Sequence, residues 1–223
     1  MSCTIPYFTK IGNVIYEGFR AICSLCVNIE NQVKFGDPGV CPLLVQLIQE
    51  FKADRGVVYQ GCRALCSTCI NVEIQAKKIG DASVCPLLVH ILRRFRGERD
   101  AVYAGCRALY HMYGNVENQA KFGIRPLLVQ MLRKFEADRD VIYEGSRALC
   151  SLCLNTSNQV KFGEAGICTL LNHISRKYNA DHDIVYEACL AVCSLCVHGE
   201  NQTKFGDATL VFVRHSFTFS RNS

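Results

Sequence analysis

The chain has 223 residues, 49% of them hydrophobic, with a formal net charge of +5. That apolar fraction is enough for a packed core and excludes a wholly disordered chain, while the modest charge is too weak by itself to indicate nucleic-acid binding. No apolar run approaches the roughly 20 residues that a membrane-spanning helix needs, so no membrane insertion is expected.

The lead-in, residues 1–12, reads Met-Ser-Cys-Thr-Ile-Pro-Tyr-Phe at its start. It has neither the basic onset nor the apolar stretch of a signal peptide. Fifteen cysteines in such a chain indicate free thiols in a reducing compartment, and the odd count rules out pairing all of them within one chain. The expected location is cytoplasmic or nuclear.

From Val14 onward the chain repeats itself. The segments Val14-Ile15-Tyr16-Glu17-Gly18, Val57-Val58-Tyr59-Gln60-Gly61, Ala101-Val102-Tyr103-Ala104-Gly105, Val141-Ile142-Tyr143-Glu144-Gly145 and Ile184-Val185-Tyr186-Glu187-Ala188 align. Their tyrosines stand at 16, 59, 103, 143 and 186, in steps of 43, 44, 40 and 43. A period near 40 marks stacked helical units.

Within one unit the elements follow in order. A helix from Val14 carries Val14, Gly18, Ala21 and Leu25 on one side with Ile15, Phe19, Ile22 and Cys26 adjacent, about half the circumference at roughly 100° per residue. Tyr16, Arg20, Ser24 and the edge residue Glu17 stay on the other arc. A short helix, Asn31–Phe35, ends at Gly36 before the Asp37-Pro38-Gly39 turn. The next helix starts around Pro42 and runs to Phe51, with Leu43, Leu44, Leu47 and Ile48 at helical spacing. A polar turn follows, and the next copy begins behind an N-cap, for which Asn13, Gly56, Asp100, Asp140 and Asp183 are the five candidates. A helix apolar over so much of its surface must be covered by neighbouring copies.

With its short-long-long helix pattern, Asn118-Gln119 through Gly123, Glu164-Ala165-Gly166, Pro-Leu-Leu-Val at Pro42 and Pro86, and Arg-Ala-Leu at Arg63 and Arg147, the chain resembles the armadillo-repeat family over residues 13–206. HEAT repeats, the close alternative, have two helices per unit. The resemblance implies an all-α fold, a right-handed α-solenoid or armadillo-type superhelix, with the Val14-type helix as the third of each unit and lining the concave surface. The third unit is shortened at Gly123–Pro126, where a change of pitch is expected. Residues 207–223 read as an irregular tail. A solenoid needs polar caps and neither end reads as one, so the sequence predicts either part of a longer repeat protein or self-association through uncapped ends.

On the expected concave face one position recurs about every 10 Å as Arg20, Arg63, Arg107 and Arg147, with Leu190 last. One turn earlier stand Tyr16, Tyr59, Tyr103, Tyr143 and Tyr186; one turn later Ser24, Ser67, His111, Ser151 and Ser194. Guanidinium forks bind carboxylate and phosphate, and tyrosine offers a flat face and a hydroxyl. Such a ladder suits an acidic or phosphorylated, extended or helical segment of another protein. The competing reading is that each arginine lies over its tyrosine or pairs with Glu17, Glu144 or their equivalents. Nuclear-import armadillo proteins carry tryptophan with asparagine one turn later and hold basic peptides. Here those positions are arginine and mostly serine, so that mode is not expected.

Cys23/Cys26, Cys66/Cys69, Cys150/Cys153 and Cys193/Cys196 form Cys-x-x-Cys pairs, the basis of an alternative zinc or thiol-redox reading. They recur in register where small core residues belong, and Tyr110 and Tyr113 interrupt the series, so packing is the preferred reading. Cys41, Cys85 and Cys168 read likewise. Asn28, Asn71, Asn115 and Asn155, with Gln32, Gln75, Gln119, Gln159 and Gln202, are expected to cap helix ends. Lys34, Lys77, Lys121, Lys161 and Lys204 read as a solvated ridge. No phosphate-cradling loop, nucleophile elbow or histidine ligand spacing is present, so neither catalysis nor a cofactor is expected. A helical repeat binding RNA through the tyrosines and arginines is the remaining alternative.

Overall fold

A computed structural model describes residues 4–35, 40–68, 84–112, 124–164, 166–203 and 206. Among these, all regular structure is helical, and no helix is long and apolar enough to cross a membrane. The chain divides into two compact units, Met1–Asn118 and Gln119–Ser223.

The first unit contains α1 (Thr4–Leu25), α2 (Ile29–Phe35), α3 (Val40–Glu50), α4 (Arg55–Thr68), α5 (Val84–Arg94) and α6 (Arg99–Met112). The third helices α1, α4 and α6 pack side by side, α3 lies against α4 and α5, and α5 lies against α6. The second unit contains α7 (Ile124–Lys134), α8 (Arg139–Leu152), α9 (Thr156–Glu164), α10 (Ile167–Lys177) and α11 (His182–Leu195). There α8 packs on α11, with α7, α9 and α10 against them. Residues 199–203 are helical again. The short helices expected around Gln75 and Gln119, the shortened turn at Gly123, Cys69, Tyr113, Lys204 and the tail from 207 lie outside the described residues.

The helices α4, α6, α8 and α11 start two residues earlier than the sequence reading places them, and α1 starts ten residues earlier, inside the expected lead-in. Asp54, Asp138 and Asp181 are the capping residues, their Oδ1 atoms accepting from the backbone amides of Val57, Val141 and Ile184 at 3.1, 3.1 and 3.2 Å. Asp140 and Asp183 sit instead in the first turn, where a carboxylate still favours the positive helix end. Asn13 caps nothing: the capping position of the first copy holds Ile11, which offers no acceptor, and α1 runs straight through it.

The cap of one copy also ties it to its neighbour. Arg139 at the head of α8 donates from Nε to Asp181 Oδ2 at 2.6 Å and from Nη2 to Asp183 Oδ2 at 3.2 Å. Burial alone would raise the Asp181 carboxyl, but the Arg139 and Ile184 hydrogen bonds outweigh it and hold it below the ordinary carboxylate range. Arg55 and Glu98 form the matching link between α4 and α6.

Amide side chains close the other end of α1, α8 and α11. Gln32, Gln159 and Gln202 donate from Nε2 to the carbonyls of Cys26, Cys153 and Cys196 at 2.7, 2.7 and 2.9 Å. The preceding asparagines, Asn31, Asn158 and Asn201, reach the carbonyls of Leu25, Leu152 and Leu195 at 2.9–3.0 Å. Asn28 and Asn155 accept from the amides of Glu30 and Asn158. At the ends of α1, α8 and α11 two of the orphan carbonyls are thereby satisfied.

The second helices bury a stripe shifted from the one expected. In α3 it is Leu44, Val45 and Ile48, while Leu43 is exposed. Ile48 meets Gly61 so closely that a β-carbon there would overlap it; Leu92 stands in the same relation to Gly105, and Leu132 to Gly145. In each case the aliphatic residue precedes the glycine by 13 positions. The register-equivalent pair in the fifth copy is Ser175 and Ala188, a smaller side chain matched to a larger receiver. For Gly18 the equivalent residue is Ile5, which the continuous α1 carries about 20 Å away along the helix axis. A β-carbon at Gly18 would meet nothing within 4 Å.

These contacts make the glycines inequivalent. Gly145→Ala should destabilise the chain by about 1–3 kcal/mol through overpacking against Leu132. Gly18→Ala should stabilise it by up to about 1 kcal/mol through helix propensity. Urea unfolding of the two variants beside the parent chain measures both signs.

Candidate functional site

The register that places glycine on the packed side of α4, α6 and α8 sets tyrosine and arginine on another arc, but the copies use that arc differently. At the first copy, Arg20 is exposed and donates to both carboxylate oxygens of Glu17 at 3.0 and 3.1 Å, with the Ser24 hydroxyl turned back to the Arg20 carbonyl at 3.1 Å. At the fourth, Arg147 is largely enclosed between Glu144 at 3.4 Å and Glu187 at 3.7 Å, and its guanidinium lies 5.5 Å from the Tyr143 ring centroid. Burial raises the Glu187 carboxyl, with Arg147 acting against that shift. Arg20 and Arg147 therefore spend their charge on their own chain.

The second and third copies replace that glutamate by Gln60 and Ala104. Arg63 donates to Gln60 Oε1 at 3.4 Å and stacks 5.7 Å from the Tyr59 ring centroid. A concavity of about 330 Å³ opens beside it between α1, α4 and α6, lined by Arg63, Arg107, Ser67, Tyr103 and Ala104, with Cys23, Cys26, Val27, Gln32 and Cys66. Arg63 and Arg107 both line this space, and no carboxylate is among the described residues lining it. Both charges act on Cys23: burial raises that thiol, while a Ser67 hydrogen bond and the charges of Arg63 and then Arg107 oppose the shift. The site thus combines forked cationic donors, a hydroxyl and apolar walls, the combination that receives a carboxylate or phosphate group.

The remaining positions of the ladder do other work. The Tyr16 hydroxyl accepts from Gln60 Nε2 at 3.3 Å, which links the first two copies. Tyr103 lies under Arg99 at 5.5 Å, and His111 makes an edge contact with Tyr110 at 4.9 Å. Ser151, expected on the open arc, is buried at 8% exposure, too enclosed to reach a ligand; Tyr186 is 61% exposed. What the sequence reading missed is the unequal charge of the rungs. Its signal was Gln60 and Ala104 standing where Glu17, Glu144 and Glu187 stand elsewhere.

The described cysteines are all free thiols, and no group of three or more His, Cys, Asp and Glu among the described residues is placed to hold a metal ion. Cys26, Cys62, Cys66, Cys106 and Cys153 are buried with the core. Burial first, and then the neighbouring Cys66, pushes the Cys62 thiol up to about 12, and Cys168 is raised to about 11 by burial and Cys196. Cys153 is raised as well, again chiefly by burial. Such groups hold almost no thiolate near neutrality, which is the nucleophilic and metal-binding form. Lys34 and Lys161 are exposed, as the solvated-ridge reading expects.

Among the described cysteines, alkylation of the native chain with iodoacetamide at about pH 8 should therefore modify exposed Cys193 first and leave Cys62, Cys106 and Cys153 unmodified until denaturant is added. Peptide mapping by mass spectrometry reads the order, and early labelling of Cys62 or Cys153 would show that their helices are not packed as described.

No protein-family model matches the sequence, and no curated protein matches it either.

Proposed function

We propose that this chain is a non-catalytic, armadillo-type scaffold, a right-handed α-solenoid that binds an acidic or phosphorylated segment of another protein on its Tyr/Arg face. The observation that carries the reading is the concavity beside α4, lined by Arg63, Arg107 and Ser67 with no carboxylate among its described lining residues. In an armadillo superhelix this face is the concave one, accessible to an extended or helical ligand. The pocket narrows the ladder to its middle rungs. Arg20 and Arg147 are neutralised by Glu17, Glu144 and Glu187, so they contribute little to capture.

The partner's chemistry follows from the pocket. A carboxylate or phosphate oxygen can take charge-assisted hydrogen bonds from both arginines, while the flanking Val27, Cys26 and Tyr103 accommodate an apolar or aromatic neighbour of that anion. A basic ligand would be repelled. Free thiols in a reducing compartment fit a cytoplasmic or nuclear setting for such an encounter.

An array of acidic, phosphoserine-containing and basic peptides, followed by anisotropy titration of the best binders, tests the proposal. Acidic or phosphorylated peptides should bind, more weakly as salt rises. Arg63→Glu and Arg107→Glu should each weaken capture by at least about tenfold, whereas Arg20→Glu should change it by less than about threefold. Preference for basic peptides, or equal binding by all three variants, would overturn the reading.

A further inference from the structure

On α1 the side opposite its packed neighbours is apolar and open. Val14 is 71% exposed and Leu25 47%, with Gly18 and Ala21 exposed between them. The same register in the second copy is Val57, Gly61, Ala64 and Thr68, every one buried. In the fourth it is Val141, Gly145, Ala148 and Leu152, again all buried. The composition of this face is thus that of a helix packed on another helix. No charged side chain occupies any of its four positions.

Its centre has a defined shape. Gly61, Gly105 and Gly145 each receive a branched aliphatic side chain, Ile48, Leu92 or Leu132, and Gly18 stands at the equivalent position with nothing within 4 Å of where a β-carbon would be. The matching knob is present on the same face. Leu25 follows Gly18 by seven residues, two helical turns or about 10 Å, and half of its surface is open. When two such helices run antiparallel, Leu25 of each copy can lie opposite Gly18 of the other.

We propose that the Val14–Leu25 face of α1 is a homodimer interface, in which a second copy of this chain lies antiparallel across it and each Leu25 fills the partner's Gly18. The chain's own sockets show that Leu or Ile is the side chain this kind of site takes. Glycine and alanine at the centre let the two backbones approach, and the pairing closes on itself with two-fold symmetry, the commonest arrangement for identical subunits. A two-fold pair occupies this site on both copies at once, so pairing through it stops at two chains.

Sedimentation equilibrium of the full chain in reducing buffer, from low to high micromolar concentration, tests this. The mass should rise from one chain to two and stop there. Gly18→Gln adds bulk where no neighbour stands in the monomer, and Leu25→Gln removes the knob; each should raise the dissociation constant at least about tenfold. Circular dichroism should show helix content and thermal unfolding of the dilute Gly18→Gln variant no worse than the parent's, which separates loss of pairing from loss of fold. A single-chain mass at every concentration, growth past two chains, or variants that pair as tightly as the parent would each overturn the proposal.

Discussion

A leucine or isoleucine from the second helix enters the space that a glycine leaves on the third, in three of the five copies, and most of the structure follows from that contact. The glycine lets the helices approach more closely than any side chain would allow. The close approach sets the rotation of the third helix about its own axis, which in turn decides which residues are buried and which form the Tyr/Arg arc. Where the knob is shortened to Ser175, the receiver is Ala188, so the pair is matched in volume rather than in residue type. Packing of this kind tolerates little change in either partner.

Charge on the open arc is distributed by a second, local rule. A glutamate three residues before the arginine sits on the same helical face and neutralises it, as Glu17 does for Arg20 and Glu144 for Arg147. In the second and third copies Gln60 and Ala104 stand at that position, and Arg63 and Arg107 of these adjacent helices line one concavity. The cysteines lining it are small apolar packing residues, and burial raises the Cys23 thiol. The site is thus a place where the repeat departs from its own pattern.

Much of this was legible in the residues, and the limits are physical. The tyrosine period and the all-helical character could be read because burial imposes a similar pattern on the described copies. The capping residues could not, because Asp138 and Asp140 are both suitable acceptors two positions apart, and only the backbone geometry selects the first. The stripe on α3 was misplaced by one residue for a related reason: Leu43, Leu44 and Val45 are all apolar, and periodicity alone does not say which of them faces solvent. The amide ladder was recognised at Gln32, Gln159 and Gln202, but the partner asparagines Asn31, Asn158 and Asn201 were not, since an Asn-Gln pair gives no sign of which amide reaches the helix end. Neighbouring copies enclose the concavity beside Arg63, so its depth is a property of packing that no single segment displays.

A double-mutant cycle on Leu132 and Gly145 tests the knob-and-glycine contact most directly. Leu132→Ala and Gly145→Ala would be made singly and together, and unfolding free energies compared. If the contact is as described, shortening the knob relieves the overlap, and the double variant is more stable than the sum of the single effects by about 1 kcal/mol or more. Additivity within about 0.5 kcal/mol would mean that the two residues do not touch, and the packing account would be contradicted.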